Sequence, residues 1–307
     1  MHTKNSISCI IFLMNEAVLV WATLAAVVVA FLAVDFFLFG RRGITLRGSL
    51  LWSVFWLALG ISFTLVMGAW QGTGAAGEYL SGYLIERSLS IDNIFVFAII
   101  FASFAIPASA QGRLLSIGIV MALVMRAAFI GAGALLLDAF HFTIYLFGLL
   151  LVATGVKLAR HSSEEVHPER NLVLRGLRRV WPGTSVTVAV VVVLATTDLI
   201  FAIDSIPAIF AITDDAFIVF AANAFALLGL RSLYFLLAGM MDRFAYLTHG
   251  LAIVLVWVGA KMLLTDVWKI PIWLSLLVIV LVLAGAIGLS FLRTRDVPPA
   301  ARPEVAG

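Results

Sequence analysis

Nine apolar runs, each long enough to cross a bilayer, leave this chain little freedom of architecture. A hydrocarbon core about 30 Å thick needs about 20 helical residues per crossing. The runs lie at about 17–39, 49–70, 79–105, 114–136, 142–159, 185–211, 216–237, 247–265 and 271–292. No water is available there to backbone N–H and C=O groups, so each run must close its own hydrogen bonds as a helix. The expected fold is an all-α polytopic membrane protein of about nine transmembrane helices, with the lipid bilayer as its first partner. Composition agrees, at 63% hydrophobic and 12% charged residues, where soluble domains carry about 25% charged. A soluble enzyme, a disordered chain and a nucleic-acid binder are excluded on that ground. The single cysteine, Cys9, excludes a disulfide framework and a cysteine-built zinc or iron–sulfur site.

Charged, glycine-rich or proline-bearing breaks separate most runs, among them Arg41-Arg42-Gly43, Gln71-Gly72-Thr73-Gly74 and Pro107 through Arg113. The chain divides into an N-terminal extension (1–16), a transmembrane transporter domain (17–292) and a disordered tail (293–307). Residues 1–13 look dispensable, and a cleaved signal peptide is not expected where the apolar run continues through Met14. The long polar connection, 160–183, carries Arg160, His161, Glu164, Glu165, His167, Arg170, Arg175, Arg178 and Arg179. Cytoplasmic loops collect Lys and Arg. With the N-terminus outside, thirteen basic residues fall inside, against Lys4 and Lys269 outside, and the C-terminus is then cytoplasmic.

The chain also repeats itself. Glu86 and Asp92 recur 112 residues later as Asp198 and Asp204, and Arg126 recurs as Arg231. At an offset of 104, Asp138, Phe140, Leu151, Val152, Gly155 and Lys157 recur as Asp242, Phe244, Leu255, Val256, Gly259 and Lys261. Repeat one covers about 79–159 and repeat two about 185–265. Three spans per unit invert the second copy relative to the first, the arrangement of alternating-access transporters.

The acids carry the chemistry. An ionised side chain at the centre of a span costs about 2.5–3.5 kcal/mol, so Glu86, Asp92, Asp198 and Asp204 together cost roughly 10–14 kcal/mol. Arginine partners, protons or a bound cation must offset that. Pairing with Arg87, Arg126 and Arg231 is the plain structural explanation, but the acids outnumber those arginines. Asp35 adds a fifth acid, expected to face the headgroups or Arg41 and Arg42. Residues six apart on a helix differ by about 120° and 9 Å, so each helix offers one ligand to an ion or must break. Pro207 supplies a breaker beside Asp204 and Ser205, freeing the Ile203 carbonyl. Asp92 has Ser90 and Asn93 beside it, and Asn223 is an amide at membrane depth. Oxygen ligands of this kind suit magnesium, calcium and manganese. Asp92 with Asp204 is the central pair, able to neutralise one divalent cation. Ser205 and Asn223 taken singly are explained as well by helix–helix hydrogen bonds.

The remaining polar residues have ordinary explanations. Lys157 and Lys261 lie near span ends, where they snorkel. Asp214 and Asp215 suit a helix N-cap. His141 and His249 are isolated, and Trp21, Trp268 and Trp273 fit interface anchors.

Glu86-Arg87-Ser88-Leu89-Ser90-Ile91-Asp92-Asn93-Ile94-Phe95-Val96-Phe97 resembles the first signature of the TerC/Alx family of integral membrane proteins. The second is resembled by Thr197-Asp198-Leu199-Ile200-Phe201-Ala202-Ile203-Asp204-Ser205-Ile206-Pro207-Ala208-Ile209-Phe210, and the likeness extends through Asn223 to Phe235. The resemblance covers roughly 17–292. It implies a multi-pass protein of the bacterial inner (plasma) membrane, regarded in that family as a manganese exporter or a supplier of metal to enzymes outside the cytoplasm. It further implies that Glu86, Asp92, Asp198 and Asp204 handle the ion. Many relatives carry a glutamate three residues before the aspartate matching Asp198, where this chain has Ala195.

The expected function is secondary export of Mn²⁺ by alternating access, with Asp92, Asp204, Glu86, Asp198, Asn93, Ser205 and Asn223 as the metal-handling set. Exchange for H⁺ or Na⁺ would drive it, since no G-x-x-x-x-G-K-[ST] motif is present. The alternative is a membrane partner that supplies metal to extracytoplasmic enzymes or stabilises membrane complexes. No catalytic activity and no organic cofactor are expected, an intramembrane protease lacking its Gly-x-Gly-Asp here. Association with further copies of the chain is compatible with the composition and not specified by it.

Overall fold

The computed structural model describes residues 2–39, 46–140, 142–160, 183, 185–237, 246–268 and 270–294, without the side chains of 2–17, 38, 39, 92, 95, 204, 272, 291, 293 and 294. Several sequence expectations therefore lie outside the described residues: those on Arg41, Arg42, His141, Asp242, Phe244, Lys269, the loop from 161 to 182 and the tail after 294.

The described residues form helices joined by short turns, with no strand among them. In chain order these are α1 His2–Phe39, α2 Leu46–Gln71, α3 Thr73–Ser103, α4 Ala108–Ala139, α5 Thr143–Arg160, α6 Val186–Phe210, α7 Ala216–Leu227, α8 Leu230–Leu237, α9 Leu247–Leu263 and α10 Ile272–Thr294. Every apolar run of the sequence coincides with a helix or with the bent pair α7–α8. Six helices among the described residues are long and apolar enough to cross a membrane, and α7–α8, bent by 44°, makes a seventh if it is one span. α9 is shorter, at 17 residues, and α3 is interrupted by Glu78, Glu86, Arg87 and Asp92.

The side-chain distribution is that of a membrane protein. Leu51, Leu65, Leu135, Val124 and Val186 are exposed, while Glu86, Arg126, Asp198 and Asn223 are buried. Lipid solvates the first group, and the second must find partners inside the bundle.

Local chemistry starts and stops the helices. Asp215 caps α7 by accepting from the Phe217 N–H at 2.8 Å, as its position suggested. Ser185 caps α6 through the Val188 N–H. Pro207 does not break α6: the helix runs through it to Phe210, and the Pro207 carbonyl still accepts from the Ala211 N–H at 2.9 Å. Neighbouring helices make such a proline tolerable in a membrane. The break falls instead at Leu228–Gly229 in the seventh run. Gly229 has φ +73°, and a Cβ there would lie 2.3 Å from the Trp56 ring of α2. Arg87 of α3 secures the other side, donating from Nη1 to the carbonyls of Ala226 at 2.7 Å and Leu228 at 3.0 Å.

The most extensive pairing is α5 against α9. Two backbone approaches define it: a Cβ on Gly155 would lie 2.8 Å from the Ala252 carbonyl oxygen, and one on Gly259 2.7 Å from that of Gly148. Adding 104 to Gly155 and Gly148 gives Gly259 and Ala252, so each contact is the image of the other. Elsewhere α3 packs on α7, and α4 packs on α6.

The corner at Gly229 is expected to tolerate no side chain. Gly229→Ala combines a left-handed backbone with overpacking against Trp56, and should cost about 2–5 kcal/mol. Unfolding by SDS in mixed micelles reads that loss, and an unchanged midpoint would contradict the geometry.

Candidate functional site

Arg126, on the middle of α4, is the hub of the bundle and has no exposed surface. Its Nη1 donates to Glu86 Oε1 of α3, to Asn223 Oδ1 of α7 at 2.6 Å and to Ser205 Oγ of α6 at 3.4 Å. Its Nη2 donates to Asp198 Oδ1 of α6 at 3.3 Å. Asn223 is held in register because its own Nδ2 donates to the Val219 carbonyl at 2.8 Å, leaving its oxygen to the arginine. One guanidinium therefore gathers four helices through a fork of fixed geometry, which a lysine could not supply.

Four of the expected metal-handling residues, Glu86, Asp198, Ser205 and Asn223, thus converge, and they do so on Arg126. Asn93 is buried on α3. Asp92 and Asp204 are helical positions on α3 and α6, and their side chains lie outside the described residues. Among the described residues no group of three His, Cys, Asp or Glu side chains is gathered as a ready metal site.

The register of α3 against α6 places the acids by level. A Cβ on Gly82 would meet Ile209 at 2.9 Å, and Glu86 shares Arg126 Nη1 with Ser205. Four residues forward on α3 thus correspond to four residues back on α6, so the helices run antiparallel. Continuing that register brings position 92 level with 199, beside Asp198, and position 204 level with 87, beside Glu86. Positions 92 and 204 are then about 7.5 Å apart along the bundle, five residues at 1.5 Å each. The backbone carries two acidic levels, Asp92 with Asp198 and Glu86 with Asp204.

Saturation of the hub is incomplete. Glu86 Oε2, Asp198 Oδ2, Arg126 Nε and, one turn beyond Glu86, Ser90 Oγ are buried with no hydrogen-bond partner among the described residues. Unpartnered oxygens in a low-dielectric interior are costly, and a cation or proton relieves them.

The other arginines are engaged elsewhere. Arg87 serves backbone carbonyls at the α7–α8 corner. Arg231, the second residue of α8, donates from Nη2 to the Asp35 carbonyl at 2.5 Å and from Nη1 to Ser116 Oγ at 3.1 Å, with its Nε 3.5 Å from Asp35 Oδ2. Asp35 is therefore buried against Arg231 rather than turned to the headgroups. Tyr234 donates to Gln111 Oε1 at 2.9 Å at the same end of the bundle. Two residues important to the site were not singled out as such from sequence: Arg126 as the organiser, and Gly229 as the corner that positions α8. The available signal was an arginine in the middle of an apolar run, and a lone glycine in another.

Residues 71–297 match the family described as "Integral membrane protein TerC family". Among curated proteins the chain is 41% identical over 300 residues to an uncharacterised membrane protein of Myxococcus xanthus, covering 91% of this chain and 93% of that one. It is 40% identical over 287 residues to the Escherichia coli K12 protein named "Putative membrane-bound redox modulator Alx", covering 84% and 89%. A membrane protein of Mycobacterium bovis is 36% identical over 275 residues, covering 82% of this chain and 69% of that one. No solved structure matches the chain significantly.

Arg126→Met strands two carboxylates in the bundle and should destabilise it by about 3–5 kcal/mol. Adding Glu86→Gln and Asp198→Asn removes the stranded charges, so the triple variant should recover most of that loss in SDS unfolding. A triple variant as unstable as the single one would show that charge is not the cause.

Proposed function

The chain belongs to the TerC family of integral membrane proteins, and on that premise we propose that it exports Mn²⁺ from the bacterial cytoplasm by alternating access through its midplane carboxylates. The feature that carries the reading is an excess of acids over arginines in the apolar spans. The buried charged side chains among the described residues are three acids, Asp35, Glu86 and Asp198, and three arginines, Arg87, Arg126 and Arg231. They balance. Asp92 and Asp204, on the same two helices, add two acids with no further arginine in any span. A surplus of two negative charges is what one divalent cation neutralises. The ligands on hand are carboxylate, hydroxyl and amide oxygens, the hard set that manganese accepts and zinc or copper does not prefer.

The reciprocal contacts of Gly155 with Ala252 and Gly259 with Gly148 support reading α3–α5 and α6–α9 as inverted copies, whose relative rocking would expose the carboxylates to each side in turn. Export needs coupling. A membrane potential positive outside opposes cation efflux by about 2.3 kcal/mol per charge per 100 mV, so H⁺ or Na⁺ entry drives the cycle. The redox role in the name of the Alx relatives finds no thiol pair here, Cys9 being the one cysteine. A protein that sets the level of a redox-active divalent metal acts on redox balance without one.

Two outcomes are expected. In manganese-sensitive cells, wild type should lower retained Mn²⁺ at least tenfold more effectively than Asp92→Asn or Asp198→Asn. Equal retention would remove export as the function, and changed metallation of secreted enzymes at unchanged cytosolic Mn²⁺ would favour metal delivery instead. Separately, fluorescent and alkaline-phosphatase reporters joined after residue 294 should report a cytoplasmic C-terminus in the inner membrane, and a phosphatase-active fusion would reverse the orientation.

A further inference from the structure

Resting on that transport reading, we infer that Arg126 is a resident counter-cation: it holds Glu86 and Asp198 in the ion-free protein and gives up Asp198 to the divalent ion. The hub is unequal. Nη1 contacts Glu86 closely and also engages Asn223 at 2.6 Å, whereas Nη2 reaches Asp198 by the longer contact of 3.3 Å. Asp198 Oδ2, like Glu86 Oε2, is buried with no hydrogen-bond partner among the described residues. A permanent structural ion pair in a dry interior would be expected to satisfy those oxygens, since an incompletely bonded pair does not recover the cost of dehydrating its charges. An arginine held firmly by one acid and loosely by the other is suited to exchange.

The levels of the bundle say where the exchange goes. Asp198 shares its level with position 92 on α3, and Glu86 shares its level with position 204 on α6. An ion taken up by Asp198 competes with Nη2 alone. It leaves Nη1 on Glu86 and Asn223, so the four-helix junction persists while the ion is bound. When the ion leaves, the guanidinium again covers Asp198. The ion-free carrier then returns with Asp198 covered, and only the surplus acids are left to the coupling H⁺ or Na⁺, which spares it the high cost of one more unpaired acid. Arg126 is in this sense a positioning residue for the transport cycle, acting through the carboxylates.

The test separates binding, exchange and net flux. In proteoliposomes, Arg126→Gln removes a competing positive charge and should bind Mn²⁺ about tenfold tighter, read as thermal stabilisation of the purified protein against Mn²⁺ concentration. It should retain ⁵⁴Mn²⁺-for-Mn²⁺ exchange, which needs no empty return, and lose most net efflux, which does. Weaker or unchanged Mn²⁺ binding, or exchange and net efflux falling together, would overturn the inference and leave Arg126 a structural residue. If Arg126→Gln does not assemble, Arg126→Lys decides: its compact ammonium keeps Glu86 and loses the fork onto Asp198, so Mn²⁺ should again bind more tightly, and weaker or unchanged binding refutes the role. A wild type that binds Mn²⁺ without moving it would refute the export reading, while the binding comparison would still decide the place of Arg126.

Discussion

One guanidinium in a dry interior sets the terms for the rest of this protein. Arg126 brings α3, α4, α6 and α7 to a common point, where its guanidinium pairs with the buried carboxylates of Glu86 and Asp198. Apolar packing alone would not select this arrangement, because lipid tails solvate leucine as well as another helix does. Polar contacts and close backbone approaches therefore carry the specificity. The arginine hub provides the first, and the Gly148–Gly259 and Gly155–Ala252 approaches between α5 and α9 provide the second.

The positions of the helices and the depth of the acids were legible in the sequence because both follow from one-dimensional rules. A run of about 20 apolar residues must be a helix in lipid, and an acid within it must turn into the bundle, as Glu86 and Asp198 do. Asp215 as a helix cap was legible for a similarly local reason. What was not legible depends on partners far apart in the chain. Asp35 meets Arg231 across 196 residues, so the nearby Arg41 and Arg42 looked the better partners. Pro207 looked like the breaker because proline removes a donor, yet buried neighbours such as Ile206, Ala208 and Ile209 surround it and the helix continues.

The levels of the acidic positions on α3 and α6 are likewise a matter of helix register. Equal spacing within two motifs fixes each acid against its own helix and says nothing about which positions stand level. The antiparallel register, visible in Gly82 against Ile209 and in Glu86 with Ser205 on one nitrogen, exchanges the partners. Each motif then contributes one acid to each level, so the ladder of carboxylates is built from both halves of the chain at every rung.

The corner at Leu228–Gly229 has a consequence of its own. α7 is anchored through Asn223 to the arginine hub, and α8 is anchored through Arg231 to Asp35 and Ser116. Arg87 and Trp56 grip the joint between them from opposite sides. The bent pair is thus two levers with separate moorings. A change at Asp35 is therefore felt first by the shorter lever through Arg231, while the longer lever keeps its own hold on the charged centre.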